Sequence, residues 1–296
     1  MRLSEIYSTE HRKQIQTNVV FEGEIKPIIS FEVFPPKSQN TKLFEELNKL
    51  QKYNPSLISI TYGAGGSNKD GSLSLVKGIK NLGIATPMPH FTCMCSSEEF
   101  LENYINELES LGIENVLALR GDRPKDIEVC HSSFKHADEL VKFIKSKTNM
   151  SIAVAGYPET HVEAKNIHED ITNLKKKIDA GAEAIFTQLF FNNDHFYRYK
   201  QLVRHAGIFT PIIPGILPIT SYAQLEKMTS MCKVEIPKYL SQQLEKHKED
   251  IAATTEIGID FAIYQCQQLI DEGVEGIHFY ILNKAYSTSE ILNAIF

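Results

Sequence analysis

Residues 151–189, SIAVAGYPETHVEAKNIHEDITNLKKKIDAGAEAIFTQL, decide the fold because they hold one complete strand–helix–strand unit. Apolar runs at Ser151–Ala155 and Ala184–Leu189 predict two strands, and the amphipathic stretch Glu163–Ala180 between them predicts a helix. Gly181 stands where that helix must end before the next strand begins. Because a helix joins the strands through short connections, the strands are expected to run parallel.

The same unit recurs along the chain. The predicted strands are Ile28–Phe34, Leu57–Tyr62, Pro89–Thr92, Asn115–Leu119, Ser151–Ala155, Ala184–Leu189, Pro211–Pro214 and Gly276–Tyr280. Further amphipathic stretches predict helices at Thr41–Gln51, Ser97–Leu111, Ser133–Lys147 and Asp194–Ala206, with Gly112 and Gly207 as helix stops. Eight such units predict an α/β fold, a (β/α)₈ TIM barrel.

We expect one barrel domain over residues 1–296, with residues 1–26 as an N-terminal extension. Residues 219–275, between strands 7 and 8, are long enough for two or three extra helices. Their charged run EKHKED (245–250) is typical of a solvent-exposed helical face. An open doubly wound sheet is the alternative, but it would normally carry a G-x-G-x-x-G fingerprint, which the sequence lacks.

Composition excludes several classes of protein. The 31 basic and 37 acidic side chains give a net charge of −6, so we expect neither nucleic acid nor an anionic membrane as a partner. No apolar run approaches the ~18 residues of a membrane span. The polar N-terminal stretch 1–16 does not resemble a secretory signal. A cytoplasmic protein with mostly buried, reduced cysteines is the prediction.

Catalysis in this architecture belongs at the carboxyl ends of the strands. Glu32 lies in the first strand, where burial in an apolar environment should raise its pKa and make it a general acid. A buried structural Glu is the equally weighted alternative. Asp122 and Arg120 flank Gly121 at the end of the fourth strand, where Asp122 could also be a simple turn residue.

Other strand ends carry further polar side chains: His90, Tyr157, His161, Gln188, Tyr280, Asn283 and Lys284. No H-E-x-x-H or paired Cys/His spacing occurs, and Cys93 and Cys95 should point to opposite faces of a strand. The sequence therefore predicts no metal site.

Nine motifs occur in order along the chain. They are SFEVFPPK (30–37), ITYGAGGS (60–67), PHFTC (89–93), LALRGDRP (117–124), AGYPETH (155–161), the helix D-x-x-N-L-K-x-K (170–177), TQLFF (187–191), PGILPI (214–219) and HFYILNK (278–284). Together they make residues 28–296 similar to the methylenetetrahydrofolate reductases of the single-domain bacterial type. The resemblance implies a barrel that binds FAD and reduces 5,10-methylenetetrahydrofolate to 5-methyltetrahydrofolate with NADH or NADPH, in the one-carbon metabolism that supplies methionine.

The resemblance also implies roles for individual residues. Glu32 matches the proton donor of the family, and Asp122 matches the carboxylate beside the flavin and the pterin. Positions that contact FAD fall on Tyr62, Ala64, His90, Arg120, Gly121, Asp122, Ala137, Tyr157, His161, Ala164, Asp170, Asn173, Lys176 and Lys177. Positions that contact folate or nicotinamide fall on Thr61, Asp122, Gln188, Gln224, Met228 and Lys284. A homo-oligomer is expected.

Three positions depart from the family pattern. His136 replaces a Tyr, Met228 replaces a Phe of an enteric relative, and Lys284 replaces an Arg, which exchanges a planar fork for a point charge. Two other functions are alternatives to the reductase. A flavin barrel that oxidises an amino acid gives no reason for the PGILPI loop or for Glu32. The intact Glu32–Asp122 pair argues against a folate- or flavin-binding subunit that needs a partner for turnover, but the substitutions at His136 and Lys284 keep this alternative open.

Overall fold

The computed structural model describes residues 1–8, 11–12, 26–36, 40–62, 69–122 and 131–296. Its strands are β1 Ile28–Val33, β2 Leu57–Ile60, β3 Thr86–Thr92, β4 Asn115–Leu119, β5 Ser151–Gly156, β6 Ala184–Leu189, β7 Ile212–Ile216 and β8 Gly276–Tyr280. They form one closed barrel in chain order, and every neighbouring pair is parallel, including β1 with β8. The predicted (β/α)₈ barrel is confirmed.

The first helix precedes β1, and the other helices follow the strands around the outside of the barrel. They are α1 Leu3–Ile6, α2 Thr41–Leu50, α3 Lys69–Leu82, α4 Glu98–Ser110, α5 Ala137–Lys147, α6 Ile167–Asp179, α7 Asn193–His205, α8 Tyr222–Cys232, α9 Lys238–Lys246, α10 Ile251–Asp271 and α11 Tyr286–Ile295. None of the helices in the described ranges combines the length and apolar character that a membrane span requires.

Three elements begin at least three residues from their predicted starts. Strand β3 begins at Thr86 rather than Pro89, because its prolines still lie in register with β2. Helices α5 and α6 begin about four residues later than their amphipathic patterns suggested, at Ala137 and Ile167. For α6 the reason is local, since the Asn166 side chain accepts the backbone N–H groups of residues 168 and 169 and fixes the first turn there.

Three helices, α8 to α10, occupy the predicted insertion between β7 and β8. They build a separate apolar cluster with the ends of β6 and β7. A Cβ on Gly258 would lie 2.2 Å from the Ile219 carbonyl oxygen, so glycine lets α10 pack directly on the segment after β7. Residues 245–250 are exposed as predicted, but α9 ends at Lys246, so most of this run forms the turn before α10.

The cysteine prediction needs one correction. Among the described residues Cys93, Cys232 and Cys266 are free thiols, and burial raises the pKa of Cys93 and of Cys232 to about 11. Cys95 is disulfide-bonded. It lies in a turn after β3, at a φ of 58°, and is only partly buried, whereas Cys93 is enclosed in the core.

Helix α1 closes the amino-terminal end of the barrel. The N-terminal segment buries Leu3, Ile6 and Tyr7 against side chains of seven strands, β1 to β7. These side chains form an apolar cluster that is separate from the core between the barrel and its outer helices. Asn115 of β4 fixes the helix, because its Oδ1 accepts the backbone N–H of Leu3 at 2.9 Å. Apolar side chains therefore fill the amino-terminal end of the lumen, and a site is expected at its carboxyl end.

Leu3→Ala should lower the free energy of unfolding by about 2–5 kcal/mol, since Leu3 is fully buried and the barrel wall cannot collapse onto the gap. Urea unfolding followed by circular dichroism measures the loss. Leu82→Ala is the matched control because Leu82 is 39 % exposed, and its effect should stay below about 0.5 kcal/mol. Equal losses in the two variants would show that α1 does not seal the barrel.

Candidate active site

Glu32 lies in the lumen at the carboxyl half of β1, opposite Ser59 of β2 and Tyr280 of β8 in the strand register. Its side chain is 22 % exposed. One carboxylate oxygen, Oε2, lies 3.3 Å from His90 Nε2, 4.0 Å from His278 Nε2 and 3.5 Å from the Ser59 hydroxyl. The barrel thus brings polar groups from three other strands, β2, β3 and β8, onto a single oxygen of Glu32.

His278 of β8 lies behind Glu32 and is 1 % exposed. The Ser30 hydroxyl lies 2.8 Å from its Nδ1, and the Ser59 hydroxyl lies 3.3 Å from its Nε2. Burial lowers the pKa of His278, and the nearby Glu32 carboxylate offsets only part of that effect. His278 is therefore a neutral imidazole held between two serines at neutral pH.

The prediction that the pKa of Glu32 lies above its ordinary value is wrong. Burial does raise the pKa, but the neighbouring imidazoles of His278 and His90 outweigh burial and bring it from 4.5 to about 2. Those partners come from strands far away in the sequence, so the pattern around Glu32 could not show them. Glu32 is ionised in the resting site.

The end of β4 provides the second part of the mouth. Arg120 forms a two-pronged ion pair with Glu163, with Nη2 donating to Oε1 at 2.8 Å and Nη1 bonded to Oε2. Gly121 has a φ of +84°, and a Cβ there would lie 3.0 Å from the Thr92 Cβ, so the tight approach of β4 to β3 requires glycine. Asp122 follows and is exposed at the rim.

The loop after β5 and the face of α6 form the third part. Tyr157 and His161 pack edge to face with ring centroids 4.6 Å apart. The backbone N–H of His161 donates to Asp170 Oδ2 at 3.0 Å. Lys177 donates to the Ala155 carbonyl oxygen at 2.6 Å, and burial of the ammonium lowers its pKa from 10.5 to about 8, against the attraction of Asp170 and Asp138.

These predicted residues are electrostatically coupled. The pKa of Tyr157 is raised by burial and by the carboxylates of Asp170 and Asp122. Burial lowers the pKa of His161. The charge of Asp170 raises this pKa and the charge of Lys177 lowers it. The structure therefore brings the ends of β4 and β5 and one face of α6 into one polar surface.

The other predicted positions are more dispersed. Gln188 folds back so that its Oε1 accepts the Leu189 N–H, and Gln224 Oε1 accepts the N–H and hydroxyl of Thr220. Met228 packs on the cluster of the extra helices, and Lys284 is exposed at the rim. The remaining positions lie at the end of β2 (Thr61 and Tyr62), on α5 (Ala137), on α6 (Asn173 and Lys176) and in the loop between β5 and α6 (Ala164). Ala64 lies outside the described residues.

The seam between the first and last strands is closed by a side chain. Asn283 accepts the Phe34 N–H at 3.0 Å and donates to the Phe34 carbonyl oxygen at 2.7 Å. Asn283 itself has a φ of +59°, a conformation that Asn tolerates better than most residues. This bond holds the ends of β1 and β8 together immediately above Glu32 and His278.

One group of possible metal ligands occurs among the described residues, although the sequence predicted none. Glu159, His195 and Glu235 bring ligand atoms within 4.8 Å of one another. The Glu235 N–H donates to Glu159 Oε2 at 2.7 Å, and His195 Nε2 lies 3.5 Å from Glu235 Oε2. Because Glu235 is 73 % exposed, we interpret the group as a set of polar contacts that joins the loop after β5 to the extra helices.

Sequence reasoning missed Ser30, Ser59 and His278. Each lies in a strand that reads as apolar, where a small hydroxyl or a lone imidazole is normally a satisfied core residue. One signal in the sequence could have indicated Ser30. It lies two residues before Glu32, and residues two apart in a strand point to the same face.

Comparison with known proteins identifies relatives over most of the chain. Residues 17–295 match the family described as methylenetetrahydrofolate reductase. The chain is 34% identical to 5,10-methylenetetrahydrofolate reductase of Escherichia coli, over 93% of this chain and 92% of that protein. It is 33% identical to the protein of the same name from Salmonella typhimurium, over 99% and 98% of the two chains.

A plant relative is longer. The chain is 39% identical to methylenetetrahydrofolate reductase (NADH) 1 of Arabidopsis thaliana, over 89% of this chain but 47% of that protein, so it spans about half of the plant relative. Among solved structures, an uncharacterized protein from Clostridium thermocellum that binds two copies of 5-methyl-5,6,7,8-tetrahydrofolic acid has a TM-score of 0.64 at 14% identity, covering 96% of this chain and 97% of the other. That likeness shows the shared barrel fold.

The depressed pKa of Glu32 predicts how acid destabilises the chain. Between pH 4.5 and 2 the unfolded chain binds a proton that the folded chain does not, so stability falls with pH there. From pH 6 to pH 3 the wild type should lose about 2 kcal/mol more than Glu32→Gln. Urea titrations at each pH measure the difference. Glu226→Gln, on the exposed side of α8, should follow the wild type, and parallel curves for all three proteins would contradict the assigned pKa.

Proposed function

Because this chain belongs to the methylenetetrahydrofolate reductase family, we propose that it reduces 5,10-methylenetetrahydrofolate to 5-methyltetrahydrofolate with NAD(P)H, using FAD. The observation that supports this most strongly is the position of Glu32. A carboxyl group that can carry a proton lies in the barrel mouth, 3.3 Å from His90 and beside the polar surface of β4, β5 and α6. Reductive opening of a folate ring needs such an acid beside a redox cofactor.

The residues of the mouth fit FAD. Lys177 is the main observation, because an ammonium whose pKa has been lowered by burial gains most from a bound anion such as a diphosphate. Asp170, Asn173 and Lys177 recur at helical spacing on α6, which suits contacts with the ribose, adenine and diphosphate. Tyr157 and His161 line the adjacent loop.

When bound, FAD would supply the two-electron chemistry, accepting hydride from the nicotinamide and returning it to the methylene carbon of the folate. The chain supplies position and electrostatics. Both substrates are expected to occupy the same place in turn, and Thr61 and Gln188, at the ends of β2 and β6, are the residues that would contact them. Gln224, Met228 and Lys284 extend this surface at the rim, where they would meet the outer part of the folate.

The folate ring opens when its N10 nitrogen accepts a proton and the bond from N10 to the methylene carbon breaks. We assign that proton to Glu32. The side chain of Glu32 is 22 % exposed, and a bound ligand would cover that part of the carboxyl. Excluding water there would shift the pKa of Glu32 upward, because burial is the contribution that favours the protonated form.

Asp122 has an electrostatic role in this proposal. Ring opening leaves a positive charge on the folate, and a carboxylate at the end of β4 stabilises that charge. Asp122 is exposed in the ligand-free chain, so it is free to face a ligand that fills the mouth. Arg120, held by Glu163, keeps the neighbouring backbone in place without neutralising Asp122 directly.

The lowered pKa of Lys177 makes FAD binding depend on pH. The diphosphate binds the charged ammonium, which is present below about pH 8 and lost above it. The affinity of the apoprotein for FAD should therefore fall about tenfold from pH 7 to pH 9. Quenching of flavin fluorescence measures the dissociation constant at each pH.

Two variants control this experiment. The Lys176→Ala/Lys177→Ala protein should bind FAD more weakly, and the pH dependence should disappear because the titrating ammonium is gone. Lys175→Ala removes an exposed lysine of the same helix, which pairs with Asp179, and should behave like the wild type. FAD affinity that is unchanged in the double variant would remove α6 from the cofactor site.

The reductase proposal is tested by separating its two halves in a rapid-mixing spectrophotometer. The purified holoprotein should bleach at the flavin band with NAD(P)H and recover its colour with 5,10-methylenetetrahydrofolate. Glu32→Gln should still bleach within about tenfold of the wild-type rate, because that half needs no proton at N10. Its recovery with folate should slow by the ~10²–10⁴ expected for a lost general acid.

Glu226→Gln again serves as the control and should leave both halves unchanged. Protein that remains colourless after addition of FAD would overturn the proposed function. Equal slowing of the two halves in Glu32→Gln would instead assign Glu32 a supporting role, without affecting the identity of the reaction.

A further inference from the structure

Glu159 lies in the loop after β5, between Tyr157 and His161, two of the proposed FAD contacts. A tight turn fixes it there, because the Thr160 N–H donates to the Tyr157 carbonyl oxygen at 3.1 Å. Thr160 has a φ of +77°, a conformation that a β-branched residue rarely adopts. The turn that carries the proposed cofactor contacts therefore also fixes the position of the Glu159 carboxylate.

The Glu159 carboxylate reaches the segment that follows α8. Its Oε2 accepts the backbone N–H of Glu235 at 2.7 Å, and its other oxygen is buried. His195, in the first turn of α7, lies 3.5 Å from the Glu235 carboxylate. Because the bond to Glu159 is made by the main chain, it fixes the path of the chain after α8 rather than the exposed Glu235 side chain.

Helix α8 depends on contacts beyond its own residues. Of residues 222–232, Leu225 alone is buried. At the amino end of the helix, the Ser221 hydroxyl accepts the Gln224 N–H at 3.2 Å. At the carboxyl end, Lys233 leaves the helix with a φ of +53°, and the bond to Glu159 follows two residues later. The two ends of α8 are thus fixed separately, and Glu159 contributes to the second.

One face of α8 carries two of the proposed folate contacts. Gln224, Met228 and Cys232 follow one another at intervals of four residues, so they lie on the same side of the helix. All three are partly buried, whereas Ala223 and Glu226 on the opposite side are exposed. The face with Gln224 and Met228 is therefore the one that packs toward the barrel.

The surroundings of Cys232 show what this face meets. Burial is the main cause of the raised pKa of Cys232, and the charge of Asp122 adds to it. For Tyr157 and Tyr280, too, burial is the main cause of a raised pKa, and Cys232 contributes. Because such interactions weaken with distance, the carboxyl end of α8 lies close to the ends of β4, β5 and β8 at the barrel mouth.

We propose that Glu159 is a positioning residue, which holds α8 at the barrel mouth so that Gln224 and Met228 meet the folate. The identity of that ligand rests on the proposed function. Without the bond from Glu235, the helix stays attached at its amino end through Ser221, but its carboxyl end is free to move away from the mouth. The folate then loses one wall of its site, whereas the proposed FAD contacts on β4, β5 and α6 remain.

The Cys232 thiol reports the position of α8 without any reaction. In the wild type it is partly buried and its pKa is raised from 9.0 to about 11, so N-ethylmaleimide should modify it slowly. Glu159→Ala should increase this rate about tenfold or more in the ligand-free protein, because a released helix end exposes the thiol and lowers its pKa. Mass spectrometry of the peptide that contains Cys232 measures the rate, and the peptide with the buried Cys266 reports any general unfolding.

Two variants separate the hydrogen bond from other effects. Glu159→Gln keeps a carbonyl oxygen for the Glu235 N–H, and Glu226→Ala changes only the exposed side of α8, so both should be modified at the wild-type rate. A wild-type rate in Glu159→Ala would overturn the inference. Fast modification in Glu159→Gln would also overturn it, since the charge rather than the bond would then matter. So would a parallel increase at Cys266, because the whole chain would then have loosened.

In the holoprotein the same bond should separate KM from kcat. Glu159→Ala should raise the KM for 5,10-methylenetetrahydrofolate about tenfold, the scale of one lost hydrogen bond, and Glu159→Gln should restore it. The dissociation constant of FAD and the bleaching rate at saturating NAD(P)H should stay unchanged. Weaker FAD binding in Glu159→Ala would mean that Glu159 supports the cofactor loop instead, which contradicts the proposed role. A holoprotein without any folate reaction would overturn the proposed function alone, since the thiol experiment needs neither flavin nor folate.

Discussion

A carboxylate inside a barrel lumen must find hydrogen-bond donors, and Glu32 finds them on the neighbouring strands. Its Oε2 lies between His90, Ser59 and His278, so strands β1, β2, β3 and β8 must be in register around it. Leaving that charge unpaired would cost several kcal/mol, a large fraction of the stability of an ordinary domain. The closed barrel and the polar cluster in its mouth therefore depend on each other.

The mouth combines two opposite electrostatic tendencies within one small volume. On the β1 side, imidazoles and a hydroxyl favour an ionised carboxyl group, whereas on the α6 side burial disfavours a charged lysine. The surroundings of Glu32 and of Lys177 thus hold the pKa of each group away from its ordinary value. Groups displaced in this way respond most strongly when a ligand replaces water, which is characteristic of functional sites.

The sequence was sufficient for the architecture because a parallel barrel repeats one unit. Apolar runs, amphipathic stretches and glycines such as Gly112 and Gly207 located all eight strands and most of the helices, and the left-handed φ of both glycines explains why. Helix starts were less accurate, since a cap such as Asn166 depends on a few atoms. For the site, the sequence predicted Glu32 and the resemblance implied the α6 face, but the predicted direction for the pKa of Glu32 was wrong. The reason is that His278 lies 246 residues away along the chain, and cross-strand partners follow from register rather than from local pattern.

The Asn283–Phe34 bond has a consequence for how the protein is made. It joins residues 249 positions apart, so β1 emerges from the ribosome long before the strand that closes the barrel. At about 5–20 residues per second, this delay is on the order of ten seconds or more. During that time β1 has an open edge and Glu32 has no imidazole from β8. Nascent chains should therefore depend on holding chaperones at this stage, and substitutions that weaken the seam should reduce the yield of folded protein even where the finished barrel tolerates them.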